Sequence, residues 1–219
     1  MASLGIRIIR FHFVLMAMLA SVATSAQQLQ EGDLLFSCTQ EPNAITDVTS
    51  GVAHLPIDHV AVVHRIGGAQ GPLFVIEAVK PAVYLTPIDT FMCNNPQVIV
   101  GRVNQAFDVH TSVKRCLRMV GKPYDDLYLP GDSAVYCSEL VQMSYVFEDG
   151  SRVFETVPMS FHDSSGQITD YWIDFYSSRG MAVPEGEPGT NPGELSRRPM
   201  VTIIGSYHPE REFQFEVRK

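Results

Sequence analysis

The chain has 219 residues, 45% of them apolar, which is enough for one domain with a substantial core. Its formal net charge of −8 excludes the basic surface of a nucleic-acid-binding protein and predicts repulsion from anionic membrane surfaces. After residue 26, no segment is apolar for long enough to cross a bilayer.

Residues 1–26 have the three-part layout of a secretory signal peptide. Two arginines form a short basic region, residues 11–23 are nearly all apolar, and small residues follow. We therefore expect cleavage after Ala26, a mature domain over residues 27–219, and a periplasmic or secreted location. The alternative is an uncleaved membrane anchor.

Five short apolar segments predict β-strands, and they are residues 32–36, 59–64, 73–79, 97–103 and 201–207. A glycine-rich turn joins the second and third of these segments into a β-hairpin. Two other segments are predicted from composition, a helical turn and an irregular loop, at residues 44–48 and 184–199.

Helical spacing of apolar residues predicts a helix that begins after Asp108 as its N-cap and ends at the Gly-Lys-Pro sequence of residues 121–123. A second helix is predicted from Cys137, with Ser133 as its N-cap. Helices among antiparallel strands predict an α+β domain.

Cys137 is the candidate nucleophile. Because it opens the predicted helix, we expect its sulfur near the unpaired amides and the positive end of the helix dipole, where a thiolate is favoured. Polar residues flank it, which predicts that this turn lies near solvent. The alternative is a buried structural cysteine.

His59 and Glu77 are the candidate base and orienting group. Gly68 lies nine residues after His59 and nine before Glu77, so a hairpin symmetric about Gly68 places the two residues opposite each other. Their Cβ atoms would then be roughly 4.5–5.5 Å apart. The carboxylate could hold one imidazole nitrogen and leave the other free to take a proton. The alternative is a surface ion pair between strands.

The remaining cysteines, Cys38, Cys93 and Cys116, do not form a recognisable disulfide framework. Cys116 lies on an apolar helical face, so we expect it to be buried. The sequence leaves open whether any of the three forms a disulfide.

No metal or nucleotide cofactor is expected. His59 and His64 would point to opposite faces of one strand, and no zinc-binding or nucleotide-binding motif is present. The neighbouring acids Asp125 and Asp126 are interpreted as solvated loop residues.

Four stretches of the sequence resemble the YiiX/YebB-like cysteine hydrolases, the circularly permuted branch of the NlpC superfamily. They are DHVAVV at 58–63, VIEAV at 75–79, GKPYD at 121–125 and YCSELV at 136–141. Residues 184–192 are also similar to exported members of that group. The resemblance implies a circularly permuted papain-like (NlpC-type) fold, in which an antiparallel β-sheet or barrel packs against helices.

The resemblance implies that Cys137 is the nucleophile, His59 its base and Glu77 the orienting carboxylate. Tyr124 resembles the tyrosine that lines the family's active site, where its hydroxyl would assist oxyanion stabilisation. Asp58 is a departure, because related sequences tend to carry a small polar residue there. We expect a negative charge at this position to raise the His59 pKa.

The activity implied by the resemblance is thiol-dependent hydrolysis of amide bonds, with peptide amides such as peptidoglycan fragments as the expected substrate class. Two alternatives stay open at this point. One is a lipid-directed acyl hydrolase or acyltransferase, similar to lecithin retinol acyltransferase relatives. The other is a binding module that keeps the fold without turnover.

Overall fold

The computed structural model describes residues 29–68, 70–131, 133–208 and 211–214. The expected signal peptide over residues 1–26 lies outside this range. The strands are β1 (Leu34–Cys38), β2 (Ile57–Arg65), β3 (Leu73–Val79), β4 (Ala82–Pro87), β5 (Val98–Val103), β6 (Val157–Pro158), β7 (Pro188–Gly189), β8 (Val201–His208) and β9 (Arg211–Gln214). The helices are α1 (Ala44–Val48), α2 (Ile88–Asn94), α3 (Val109–Arg118), α4 (Cys137–Ser144), α5 (Asp170–Ser177) and α6 (Pro192–Ser196).

Seven strands form one sheet in the order β4-β3-β2-β1-β5-β8-β9, and every neighbouring pair in it is antiparallel. Within the described residues β4 and β9 are the two edges, so the sheet is open and not closed into a barrel. Strands β6 and β7 pair separately. The expected α+β architecture with an antiparallel sheet is therefore confirmed in its open form.

The central strands are apolar on both faces because both faces are covered. Alternate side chains point to opposite sides of a strand. One side packs with α4 and α3, through residues that include Leu34, Phe36, Val60, Val62, Ile76, Leu140 and Val141. The other side packs with α2, through residues that include Leu35, Ala61, Val63, Val75, Val100 and Phe91. This two-sided burial explains why the strand segments read as nearly continuous apolar runs.

A third cluster of buried side chains lies outside the sheet, around α5. Its centre is aromatic and contains Phe161, Trp172 and Tyr176. Residues of α1 and of the segment after Tyr124 pack against it. This cluster forms one wall of the candidate site described below.

The predicted strands and the helix capped by Asp108 are confirmed, with small shifts of their ends. The N-cap of α4 is Tyr136 rather than Ser133, because the helix begins at Cys137 itself. The predicted irregular loop over residues 184–199 contains β7 and α6, and the Asn191 side chain caps α6. Among the described residues, no helix is long and apolar enough to cross a membrane.

Tyr145 joins the end of α4 to the sheet. It is fully buried, and its hydroxyl donates a 2.9 Å hydrogen bond to the carbonyl oxygen of Gly32, just before β1. Its ring packs at 5.3 Å from Phe107 and 5.6 Å from Phe154, measured between ring centroids. This contact fixes α4, and with it Cys137, relative to the strands.

Replacing Tyr145→Phe should lower the free energy of unfolding by about 1–2 kcal/mol, since the buried carbonyl of Gly32 loses this hydrogen-bond donor. The measurement is equilibrium unfolding in urea. The matched control is Tyr84→Phe, at a side chain that is 41% exposed, for which the change should stay within about 0.5 kcal/mol. Equal effects of the two substitutions would contradict the role given to Tyr145.

Candidate active site

Strand β2 carries His59 and is distorted immediately before it. His59 pairs with Ser37 on β1, whereas the next pair joins Ile57 to Cys38, so Asp58 is an extra residue without a partner on that strand. Such a bulge redirects the side chains beside it. His59 and Asp58 both lie at this irregularity, at the end of the strand where α4 begins.

Glu77 on β3 holds the imidazole of His59. The Nε2 atom of His59 and the Oε2 atom of Glu77 are 2.9 Å apart. This contact leaves Nδ1 as the ring nitrogen that is free to exchange a proton with another group. The expected contact between the two side chains is present in the structure.

The expected symmetry of the hairpin is wrong by one position. The hairpin closes at the pair Arg65 and Leu73, so its centre is position 69 rather than Gly68. As a result, Glu77 is offset by two residues from a direct pairing with His59. An offset of two keeps both side chains on the same face of the sheet, and diagonal neighbours are within reach of long side chains.

Cys137 is the first residue of α4, and its side chain forms a hydrogen bond with His59. The N-cap residue, Tyr136, makes no side-chain cap, so the amides of the first turn have no such partner. Cys137 is only 6% exposed, and Ser138 is fully buried. The turn is therefore less open to solvent than the polar flanking residues predicted.

The charges of the three groups are coupled. Burial by itself would lower the pKa of His59, but hydrogen bonds to Cys137 and Glu77 outweigh it and raise this pKa to about 10, from an ordinary value of 6.5. Burial raises the pKa of Glu77, yet hydrogen bonds from His59 and Thr86 lower it overall. At neutral pH, His59 is thus an imidazolium and Glu77 a carboxylate.

Asp58 does not have the expected effect on His59, whose raised pKa comes from Cys137 and Glu77. Its carboxylate instead acts on Cys38, where burial first and then Asp58 raise the thiol pKa to about 11. Asp58 accepts a 2.7 Å hydrogen bond from the Nδ2 atom of Asn43, the N-cap of α1. This contact turns Asp58 toward α1.

A cavity with a volume of ≈ 40 Å³ lies beside Cys137. Its walls are mainly aromatic and apolar, and Asp58 is the one Asp, Glu, Lys or Arg among its lining residues. The aromatic lining residues are Tyr124, Tyr128, Tyr136, Phe161 and Trp172. The cavity therefore connects the candidate nucleophile to the aromatic cluster around α5.

Tyr124 lines the cavity together with Cys137, as expected, and its hydroxyl lies 3.5 Å from that of Tyr128. Burial, followed by the charges of Cys137 and Tyr128, raises the pKa of Tyr124. The pKa of Tyr128 is raised to about 12, mainly by burial. Both hydroxyls therefore keep their protons at neutral pH and remain hydrogen-bond donors.

Sequence reasoning did not select Tyr128, whose backbone has a φ of 52°, unusual for a bulky residue. Asp125 supports this loop, because its carboxylate accepts hydrogen bonds from the amides of Leu127 and Leu129, at 2.8 and 3.0 Å. Asp125 is thus buried and structural rather than solvated. An Asp that caps amides two residues later is a turn signal that the sequence does contain.

Comparison with known proteins identifies the family. The sequence model of the permuted papain-like amidase enzymes of the YaeF/YiiX type, the C92 family, matches residues 28–205. The chain belongs to this family. The expected relationship and the permuted papain-like fold are confirmed, and the chain is in general terms a papain-like amidase.

Two relatives place this family member more closely. The chain is 28% identical over 204 residues to the protein YiiX of Escherichia coli (strain K12), covering 90% of this chain and 96% of YiiX. The crystal structure of YiiX from Escherichia coli O157:H7 has a TM-score of 0.65, covers 82% of this chain and 98% of that chain, and is 22% identical. That protein is described as a metalloprotein, and the likeness shows a shared fold.

The residues of this family member do not supply an evident metal site. Over the part of the chain that the structure describes, no group of three or more His, Cys, Asp or Glu side chains could hold a metal ion. His64 instead contacts Glu31 at 2.7 Å, and Asp126 forms an ion pair with Lys80. No catalytic step below passes through a metal.

All four cysteines are free thiols. Cys38 and Cys116 are buried, whereas Cys93 is exposed. Cys116 is the buried small residue that was expected, and burial raises its pKa to about 12. Cys137 differs from the others because an imidazolium adjoins it.

Alkylation with iodoacetamide at pH 6.5 should modify Cys137 faster than the exposed Cys93, because the His59 imidazolium stabilises the Cys137 thiolate. Peptide mass spectrometry gives the rate for each cysteine. In a His59→Ala variant the rate at Cys137 should fall while the rate at Cys93 stays the same. Equal rates at Cys137 with and without His59 would show that the two side chains do not act together.

Proposed function

We propose that this protein is a cysteine amidase in which Cys137 is the nucleophile, His59 the general acid and base, and Glu77 the group that orients His59. The observation that carries the proposal is the position of one imidazole between a carboxylate and a thiol. Membership of the papain-like amidase family supports the same reaction class.

The reaction begins when the Cys137 thiolate attacks the carbonyl carbon of an amide and a carbon–sulfur bond forms. The His59 imidazolium gives its proton to the amide nitrogen, the carbon–nitrogen bond breaks and the amine leaves. Neutral His59 then takes a proton from water, whose oxygen attacks the thioester. The carboxylic acid product departs, and the thiolate and imidazolium are restored.

The negative oxygen that develops during each attack needs hydrogen-bond donors. Candidates in this protein are the backbone amide of Cys137 at the start of α4 and the hydroxyl of Tyr124, which keeps its proton at neutral pH. The positive end of the α4 dipole favours negative charge at the same place.

We also propose that the protein acts outside the cytoplasm, on peptide amides of cell-wall type. The support for export is the layout of residues 1–26, and the support for the substrate class is the resemblance to exported hydrolases of the superfamily. Lipid acyl groups are the competing substrate class, and both belong in the first activity screen.

Replacing Cys137→Ala or His59→Ala should lower kcat/KM for amide substrates by roughly 10⁴-fold or more, because each removes a bond-making or proton-transferring group. Glu77→Gln should lower it by roughly 10²- to 10⁴-fold, because the imidazole loses its charged partner. The assay uses muropeptides and aminoacyl coumarylamides, with phospholipid vesicles as the competing class.

The matched control for these variants is Cys93→Ala, at an exposed cysteine outside the site, which should keep full activity. Circular dichroism and urea unfolding check that each variant is folded. Substantial turnover by folded Cys137→Ala would refute the proposed mechanism.

The pH dependence of kcat/KM should have its alkaline limit near pH 10. The active form needs the His59 proton, and a raised pKa keeps that proton until the pH passes about 10. Glu77 is one of the groups that raise this pKa, so in Glu77→Gln the alkaline limit should move to lower pH. An alkaline limit that is the same in both proteins would argue against the contact between His59 and Glu77.

A further inference from the structure

We infer that the acyl group of the natural substrate carries an ammonium group, and that Asp58 is its counter-ion inside the cavity beside Cys137. This inference rests on the proposed amidase function. It adds the chemical class of the group next to the bond that is cleaved.

The cavity is on the acyl side of that bond. In the proposed reaction the leaving amine takes its proton from His59, whereas the acyl group remains attached to Cys137. Cys137 and Ser138 line the cavity, and His59 and Glu77 are not among its lining residues. The acyl group is therefore the part of the substrate that fits there.

Asp58 places a negative charge in a wall that is otherwise mainly apolar. Within the described residues, Asn43 is its hydrogen-bond partner, and no Lys or Arg forms an ion pair with it. A carboxylate at such a place is costly to desolvate unless a cation compensates it. An anionic acyl group would meet this carboxylate with no basic side chain in the cavity wall.

Ser138 supplies a second, independent observation. It is fully buried, it lines the cavity, and its hydroxyl has no hydrogen-bond partner within the described part of the chain. An ammonium group has three N–H donors and no acceptor. Asp58 and Ser138 therefore offer acceptors of the kind that this group requires.

The aromatic walls suit the same ligand. The ring planes of Tyr128 and Trp172 meet at 86°, and those of Phe161 and Trp172 at 72°. Rings that surround a cavity in this way attract a cation through their π faces. The cavity volume of ≈ 40 Å³ suits an ammonium group on a short stem and is too small for a long acyl chain.

The test compares two affinity labels at pH 6, alanine chloromethyl ketone and N-acetyl-alanine chloromethyl ketone. Cys137 displaces chloride from either one and forms a carbon–sulfur bond, so no turnover is needed. Rates at Cys137 are divided by the rates with glutathione, which removes the intrinsic difference between the two reagents. We expect the label with the free ammonium group to be preferred by about 10- to 100-fold.

Asp58→Asn should abolish this preference, whereas the control Asp47→Asn, at an exposed acid on neighbouring α1, should keep it. The ratio is the readout because an effect of Asp58 on His59 would change both rates equally. No preference in the parent protein, or an unchanged preference in Asp58→Asn, would overturn the inference. If neither label nor iodoacetamide reacts rapidly with Cys137, the proposed amidase function fails as well.

Discussion

The contact between His59 and Glu77 is the interaction on which the site depends. An imidazole that is removed from water would normally lose its proton more easily. Here the carboxylate at 2.9 Å and the thiol of Cys137 reverse that tendency and keep the proton on the ring. The result is a reserve of one proton next to one sulfur, which is what cleavage of an amide bond requires.

The fold brings these groups together from three separate elements. Two neighbouring strands supply His59 and Glu77, and a helix that packs across them begins with Cys137. Tyr145 fixes the far end of that helix through its hydrogen bond to Gly32. The aromatic cluster around α5 lies outside the sheet and shapes the cavity, so the groups that react and the groups that select a substrate come from different parts of the chain.

Much of this arrangement could be predicted from the sequence, because strands and helix starts are local features. The contact between His59 and Glu77 followed from an assumed hairpin centre that was wrong by one position, and it survived because side chains alternate with a period of two. The cavity could not be predicted, since Trp172 meets Tyr128 only through long-range packing. The depth of Cys137 was misjudged for the same reason, because polar neighbours in sequence do not show what covers them in space.

The most direct test of the central claim is the titration of His59 by NMR, with labelled histidine and a His59→Gln variant to assign its signal among the seven histidines. We expect a transition near pH 10, because hydrogen bonds to Glu77 and Cys137 outweigh burial. A transition at or below the ordinary value of 6.5 would mean that burial wins and that no imidazolium is held beside the sulfur.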